Sequence, residues 1–285
     1  SLVRVFRKIP VVYDIQDLWP DSLKATGMFS SEIGLRIVNI FCKWVYSKVD
    51  IITVLSLGFK EKLIERGVNK NKIQIIYNWC NEEKILKKNY TKPRELKLIS
   101  GLILMFAGNI GPAQSLENIL LAFKSLKKDL FHFVIIGTGI DLDKLKKLKK
   151  KENLSNVTFL PPVKMEEIGN YLKFSDLLLV HLKNDPLFEI TIPSKIQAYM
   201  AIGKPLLVGV KGNVSEIVEK NDLGISFEPG NANQFVNSLK IFSKYDSNRK
   251  NRLSKNSKNY YESNMSFKIG LNKFSEIFTL LSKVK

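Results

Sequence analysis

Short β-branched runs alternate with longer amphipathic stretches from one end of this chain to the other, and that rhythm restricts it to βαβ units with parallel sheets. VVYDI, IITVLS and IQIIYN read as strands in the first hundred residues, with helices over 32–48 and 57–66 between them. NYTKPRELK, polar and interrupted by Pro93, reads as a connecting loop. Beyond it LILMFAG, FHFVIIG, VTFLP, DLLLVHL, KPLLVGV and GISFE read as a second set of strands, and residues 267–281 as a last helix. The fold class expected is α/β with parallel sheets. Residues 1–98 are expected to form a first, acceptor-side domain, 99–264 a second, and 265–285 a helix packing back on the first. Three strands are few beside the five or so usual in such a sheet, so the first domain is expected to lack an N-terminal portion.

With 285 residues, 45% of them apolar and 10% aromatic, the chain has the length for about two domains and the composition of a globular protein. It contains no run of about 18 apolar residues able to span a membrane as a helix. SLVRVFRKIPVVYDIQD lacks the order of a secretory leader. Cys42 and Cys80 sit in apolar or aromatic surroundings and read as reduced thiols of a cytoplasmic protein, though two cysteines can pair. The net charge of +18 calls for an anionic partner: nucleic acid, an acidic lipid surface or a phosphorylated substrate. KLKKLKKK, residues 144–151, reads as a solvated helix face beside the stripe Leu142, Leu145 and Leu148, with contact to anionic headgroups as the other reading.

Within FEITIPSKIQAYMAIGKPLL, Ile196, Tyr199, Met200 and Gly203 follow the i, i+3, i+4, i+7 spacing of a helix, which places Lys195 in its first turn. A lysine there opposes the positive end of the helix dipole. An anion held between the ammonium and free backbone N–H groups reverses that penalty. The segment therefore reads either as a phosphate site or as an ordinary capped helix with a solvated lysine.

MFAGNIGPAQSLENILLAF sets Gly108 and Gly111 between a strand and a helix, where glycine serves a close approach to phosphate or simply a tight turn. Gly137 and Gly139 in IIGTGIDLDKLKKL repeat the arrangement, and Asp141 and Asp143 read as helix-cap and first-turn acids rather than a metal-binding pair. YDIQDLWPDSLKATG places Asp14, Asp17 and Asp21 beside Trp19 and Pro20 after a strand, at the end of the sheet where open α/β folds bind ligands. Asp17 is a candidate acid or base, with turn chemistry around Pro20 as the other account. His132 begins a strand and reads as structural, whereas His181 ends one and opens the loop to Lys195, which makes it a site candidate.

The order GNIGPAQSLE, IIGTG, SDLLLVHLKNDPLFEITIPSKIQAYMAIGKPLL resembles the C-terminal half of family 4 retaining glycosyltransferases of the GT-B fold. YDIQDLWPDSLKATG resembles the N-terminal domain of the bacterial O-antigen and capsule enzymes that include L-fucosamine transferase-like members. The resemblance implies two Rossmann-like domains, the second holding a nucleotide sugar. It implies that Gly108, Asn109, Gly111 and Gln114, with Gly137, Gly139 and His181, line the diphosphate and sugar, and that Pro193, Ser194 and Lys195 grip the diphosphate. Lys195, Glu189 and Asp17 become the catalytic candidates, with Asp17 and Trp19 on the acceptor side. No cofactor or metal is implied, because a fixed cation and helix N–H groups stabilise the charge that develops on a leaving diphosphate. Many relatives carry a glutamate pair, E-x7-E; alignment on PSK and GKP puts Ala198 at the second position, and Glu189 lies one residue out of register with the first, with Gln197 its partner by spacing.

The implied partners are a UDP-sugar donor, a polyprenyl-diphosphate-linked acceptor and an anionic membrane surface at the cytoplasmic face. The stretch EIGLRIVNIFCKWVYSKV, with Trp44 and Tyr46, suits that surface, core packing being its other role. A sugar-nucleotide 2-epimerase shares the architecture, but it needs several acids and histidines converging on the sugar, and this chain has two histidines. A basic nucleic-acid-binding protein is suggested by charge alone and has no motif behind it. A truncated remnant that binds nucleotide without turning it over is the last alternative.

Overall fold

The computed structural model describes residues 9–25, 29 and 31–283. Residues 1–8, which carry the leader reading and the start of the first domain, lie outside them, as do Thr26 and Gly27 of the tryptophan-containing segment. Among the described residues β1 (Val12–Ile15), β2 (Ile51–Val54) and β3 (Ile73–Ile75) form a parallel sheet in that order. A second parallel sheet comprises β4 (Leu102–Ala107), β5 (Phe131–Ile136), β6 (Val157–Leu160), β7 (Leu177–His181), β8 (Leu206–Gly209) and β9 (Gly224–Ser226), in the order β6-β5-β4-β7-β8-β9. Every residue of β2, β7 and β8 is buried, as continuous apolar runs covered by helices on both faces require. Alternation along β4 sends Ile103, Met105 and Ala107 into one core cluster and Leu104 and Phe106 into the other.

The second sheet reverses its order between β4 and β7: β5 and β6 lie on one side of β4, and β7, β8 and β9 on the other. Open α/β sheets bind ligands in the crevice outside the carboxyl ends of strands at such a switch point. Here that crevice lies where Gly108, Gly137 and His181 leave β4, β5 and β7.

NYTKPRELK is not entirely a loop. Arg94–Lys97 form one helical turn, because Pro93 pre-sets φ at −58° and Leu96 is drawn into the core. The two sheet assemblies are joined by specific contacts: Ser56 Oγ donates to the Ile190 carbonyl at 2.5 Å, and Gly58 N–H to Asn213 Oδ1 at 2.7 Å. The helix Phe267–Ser282 packs Ile277 against Ile51 and Ile76 of the first assembly. Helix Glu32–Lys48 buries Leu35, Cys42 and Tyr46, so Tyr46 has no free face for a membrane. Its opposite side leaves Ile33, Ile37, Ile40 and Phe41 more than half exposed, and Trp44 stacks on Phe41.

Candidate functional site

Helix Lys195–Ala201 is fastened to the end of β4 through Tyr199, whose hydroxyl accepts from the Ala107 N–H at 2.8 Å and donates to the Ala107 carbonyl at 3.1 Å. Ile196 and Met200 fix the same helix in the core. This anchoring lays the Lys195 side chain over the Phe106 ring and beside Gly108. Lys195 as a whole is only partly buried, but its Nζ is out of contact with solvent and has no hydrogen-bond partner among the described residues. Burial pushes its pKa down to about 7. An unpaired buried ammonium is costly unless a ligand completes it. Ser194 precedes the helix with no side-chain cap bond.

The loop after β4 is held from inside. Gly111 N–H donates to Gln114 Oε1 at 3.1 Å, and Ile110 N–H to the Thr138 carbonyl at 2.8 Å. The two glycine turns pack on each other: a Cβ on Gly137 would stand 1.9 Å from the Gly108 carbonyl oxygen, and one on Gly139 2.1 Å from that of Ile110. Both glycines also hold φ in the left-handed half of the map, at 146° and 155°. Their immediate role is to let the loops after β4 and β5 touch.

His181 is fully buried and stacks on Phe227. Its Nδ1 donates to the Gln114 carbonyl at 2.7 Å, while Nε2 accepts from the Gly230 N–H at 3.3 Å, which selects the neutral ring protonated at Nδ1. Burial lowers its pKa, and the nearby Lys195 charge adds to the effect against the Gln114 bond. His181 thus braces the site wall with both nitrogens engaged. His132 bonds Thr158 Oγ1 at 2.8 Å across β5 and β6, a structural placement.

Two cavities meet at Lys195 and share Gly108, Asn109 and Ser194. The larger, about 600 Å³, runs past Ala198 and Thr138 to an apolar end at Ile85, Ile168 and Leu172, with Trp79 at its rim. Trp79 is held against Gly270 and meets Phe267 edge-on. The smaller, about 280 Å³, is lined by Gln114, His181, Phe188, Thr191 and Pro193.

Of the residues singled out from sequence, Gly108, Asn109, Gln114, His181, Pro193, Ser194 and Lys195 come together around these cavities, and Gly137 lines the larger one. Gly111 and Gly139 stand behind the wall as turn residues and line neither cavity. Glu189 lines neither: it ends the helical turn Pro186–Glu189, whose neighbours Phe188 and Thr191 face the smaller cavity while Glu189 packs near Gly212. Asp17 and Trp19 are exposed and line neither cavity. The nearby acids are engaged elsewhere, Asp14 with Thr53 Oγ1 at 2.6 Å and Asp21 with Arg66. Asp141 precedes its helix without a side-chain cap bond, while Asp143 lies in the first turn. Sequence reasoning missed Trp79, Thr138 and Phe188; Trp79 comes from the segment joining the two assemblies, where no periodicity marks it.

Two parallel α/β assemblies with a buried lysine at the switch point of the second define a GT-B protein. Residues 91–260 match the family described as glycosyl transferases group 1, and the chain belongs to that family. A probable glycosyltransferase of Pseudomonas aeruginosa, WbjE, is 26% identical over 225 residues, covering 75% of this chain and 55% of the relative. The putative colanic acid biosynthesis glycosyl transferase WcaI of Escherichia coli is 26% identical over 205 residues, covering 67% and 49%. The chain thus spans about half the length of these two relatives. Among solved structures, Anabaena HepE in complex with UDP superposes with a TM-score of 0.79 at 15% identity, covering 98% of this chain and 74% of that one. A Rickettsia africae glycosyltransferase gives 0.76 at 17%, covering 100% and 79%. These likenesses support neither the 2-epimerase nor the nucleic-acid-binding reading.

Proposed function

We propose that this chain belongs to a retaining glycosyltransferase that moves an N-acetylated or deoxy sugar from a UDP-type donor to a polyprenyl-diphosphate-linked saccharide during assembly of a bacterial surface polysaccharide such as O-antigen or capsule. The observation that carries the reading is the buried, unpartnered Nζ of Lys195 at the junction of two cavities. In this arrangement the diphosphate sits at Lys195 and Ser194, the nucleoside extends into the larger cavity, and the sugar occupies the smaller one beside Asn109 and His181. The UDP complex of the structural neighbour and the polysaccharide role in the name of the Escherichia coli relative support the donor and pathway class.

The reaction breaks the bond between the anomeric carbon and the diphosphate oxygen, and the electron pair leaves with UDP. An acceptor hydroxyl oxygen bonds the same carbon from the face that the diphosphate leaves, and its proton passes to the departing phosphate. Charge grows on the diphosphate along this path, so a fixed ammonium out of solvent stabilises the transition state more than the ground state. The proposal takes its cation from Lys195 and requires no metal or cofactor.

The acceptor side of the proposal places the chain at the cytoplasmic membrane face, with the exposed apolar side of helix Glu32–Lys48 against anionic lipid and Arg36 and Lys43, both exposed, beside it. Calorimetric titration with UDP and UDP-sugars tests the donor reading. Binding that is lost in Lys195→Ala is the expected result; no binding by any nucleoside diphosphate would sink it.

A further inference from the structure

The larger cavity carries one formal charge. Its described lining residues include Lys195 but no aspartate or glutamate. Four acids lie on the helices around its mouth, Glu82 and Glu83 on one and Glu166 and Glu167 on the other, and none lines the cavity. Glu82 Oε1 accepts from Tyr261 OH at 2.7 Å and from Phe267 N–H at 2.8 Å. Glu166 is paired with Lys84 at 2.9 Å, and Glu83 and Glu167 line neither cavity.

This bears on the donor because of where its sugar ring must pass. On the reading proposed above, the diphosphate is at Lys195, and the ribose is the next group inward. Residue 198 lies one helical turn further along the same face, about 5–6 Å from residue 195, and Ala198 lines the cavity there. The ribose therefore meets a methyl group where a carboxylate would accept its hydroxyls. Polar side chains nearby are neutral. Asn81 spends Oδ1 on the Lys84 N–H at 3.2 Å, and the polar side chains Asn109, Thr138 and Ser194 of the wall carry no charge either.

We infer that the nucleotide subsite does not read the ribose 2′-hydroxyl, so that 2′-deoxyribonucleoside diphosphates, and sugars carried on them such as dTDP-sugars, belong to its ligand class together with UDP-sugars. A hydroxyl removed from a neutral partner lowers affinity by less than about tenfold, whereas one removed from a carboxylate lowers it by about ten- to a hundredfold. The inference rests on the donor reading, and one experiment separates the two.

Isothermal titration of the whole chain with UDP and with dUDP gives the ratio of dissociation constants. A ratio below tenfold, with dTDP bound comparably to dUDP, is expected. A ratio of tenfold or more overturns the inference while leaving the donor reading intact, and absence of binding by all three overturns the donor reading itself. Ala198→Glu, checked for folding by its thermal transition, is expected to raise the ratio of UDP to dUDP affinity at least tenfold. An unchanged ratio in the folded variant overturns the placement of the ribose against Ala198.

Discussion

The Nζ of Lys195 lies 3.7 Å from the ring centroid of Phe106, a fully buried residue of β4, and this face is the electrostatic support that the described residues give it. The folded chain lowers the lysine pKa to about 7, so between that pH and the ordinary value of 10.5 the unfolded chain binds a proton that the folded chain does not. Stability contributed by this group therefore rises with pH across that window, and below it the cost of the buried charge is fully present. In the absence of added nucleotide, Lys195→Met is expected to stabilise the protein by a few kcal/mol at neutral pH, at about 1.4 kcal/mol for each pH unit of the depression. A thermal melt of the two proteins checks this; an equal or lower Tm for the variant goes against it.

Nucleotide binding has the opposite proton balance. A diphosphate beside Lys195 favours the ammonium and raises its pKa, so binding above about pH 7 takes up a proton. Affinity for UDP should fall between about pH 7 and 9, by up to about tenfold per unit, and calorimetry in buffers of different ionisation enthalpy should register the uptake. A flat affinity over that range would place the diphosphate elsewhere.

His181 gives a second pH signature. Its folded pKa is below the ordinary 6.5, so below that value the unfolded chain gains a proton that the buried ring resists. The stability it contributes is complete above about 6.5 and declines as the pH falls. His132 is shifted the same way by burial and by Lys149, so both rings steepen the acid limb. His181→Gln should lower the unfolding free energy at neutral pH by about 1–3 kcal/mol through the loss of its backbone bonds, and make the decline toward about pH 5 shallower. An acid limb as steep as in the parent protein would show that the ring does not titrate in this way.

Gly137 and Gly67 test what the glycine turns are for. A Cβ at Gly137 meets the Gly108 carbonyl at 1.9 Å, while one at Gly67, also at positive φ, meets nothing within 4 Å. Gly67→Ala is expected to cost about 1–2 kcal/mol from backbone strain alone. Gly137→Ala should cost at least about 3 kcal/mol, because the loop after β4 must also move. Chemical denaturation measures both, and equal costs would show that the contact between loops is soft.

Much of this architecture is legible in the amino-acid sequence. Strands announce themselves where both sheet faces are covered, since LILMF, FVII and LLLV have no polar residue to misplace. Lys195 is conspicuous because a cation at a helix start breaks a local rule. The helix Ser247–Asn264 is hidden by the reverse circumstance: its buried stripe is Leu253, Ser257 and Tyr261, with a serine in the middle and polar residues elsewhere. The glycine turns are visible, but not that Gly137 and Gly139 are dictated by packing between loops far apart in sequence. Asp17 and Glu189 stand out by type and position along the chain, whereas the larger cavity, which neither lines, is assembled from segments between Trp79 and Tyr199. Sequence spacing carries information about one helix or one strand; which loop faces which is a tertiary property.

Helix Glu32–Lys48 provides the test of the membrane part of the proposal. Its buried stripe is already satisfied by Leu35, Cys42 and Tyr46, so the side with Ile33, Ile37, Ile40 and Phe41 is a second apolar face that the first core does not use. Exposed Arg36 and Lys43 flank it, a combination that favours an anionic headgroup layer over a neutral one. Burial of a large apolar side chain is worth about 1.5–3 kcal/mol, so Ile37→Glu with Phe41→Glu should weaken partition onto phosphatidylglycerol-containing vesicles by more than about tenfold. The substitutions lie away from both cavities at Lys195, and UDP affinity should not change. Co-sedimentation with vesicles of phosphatidylcholine alone should recover little protein even without the substitutions. Equal partition of the parent and doubly substituted chains onto anionic vesicles would remove this helix from the membrane contact.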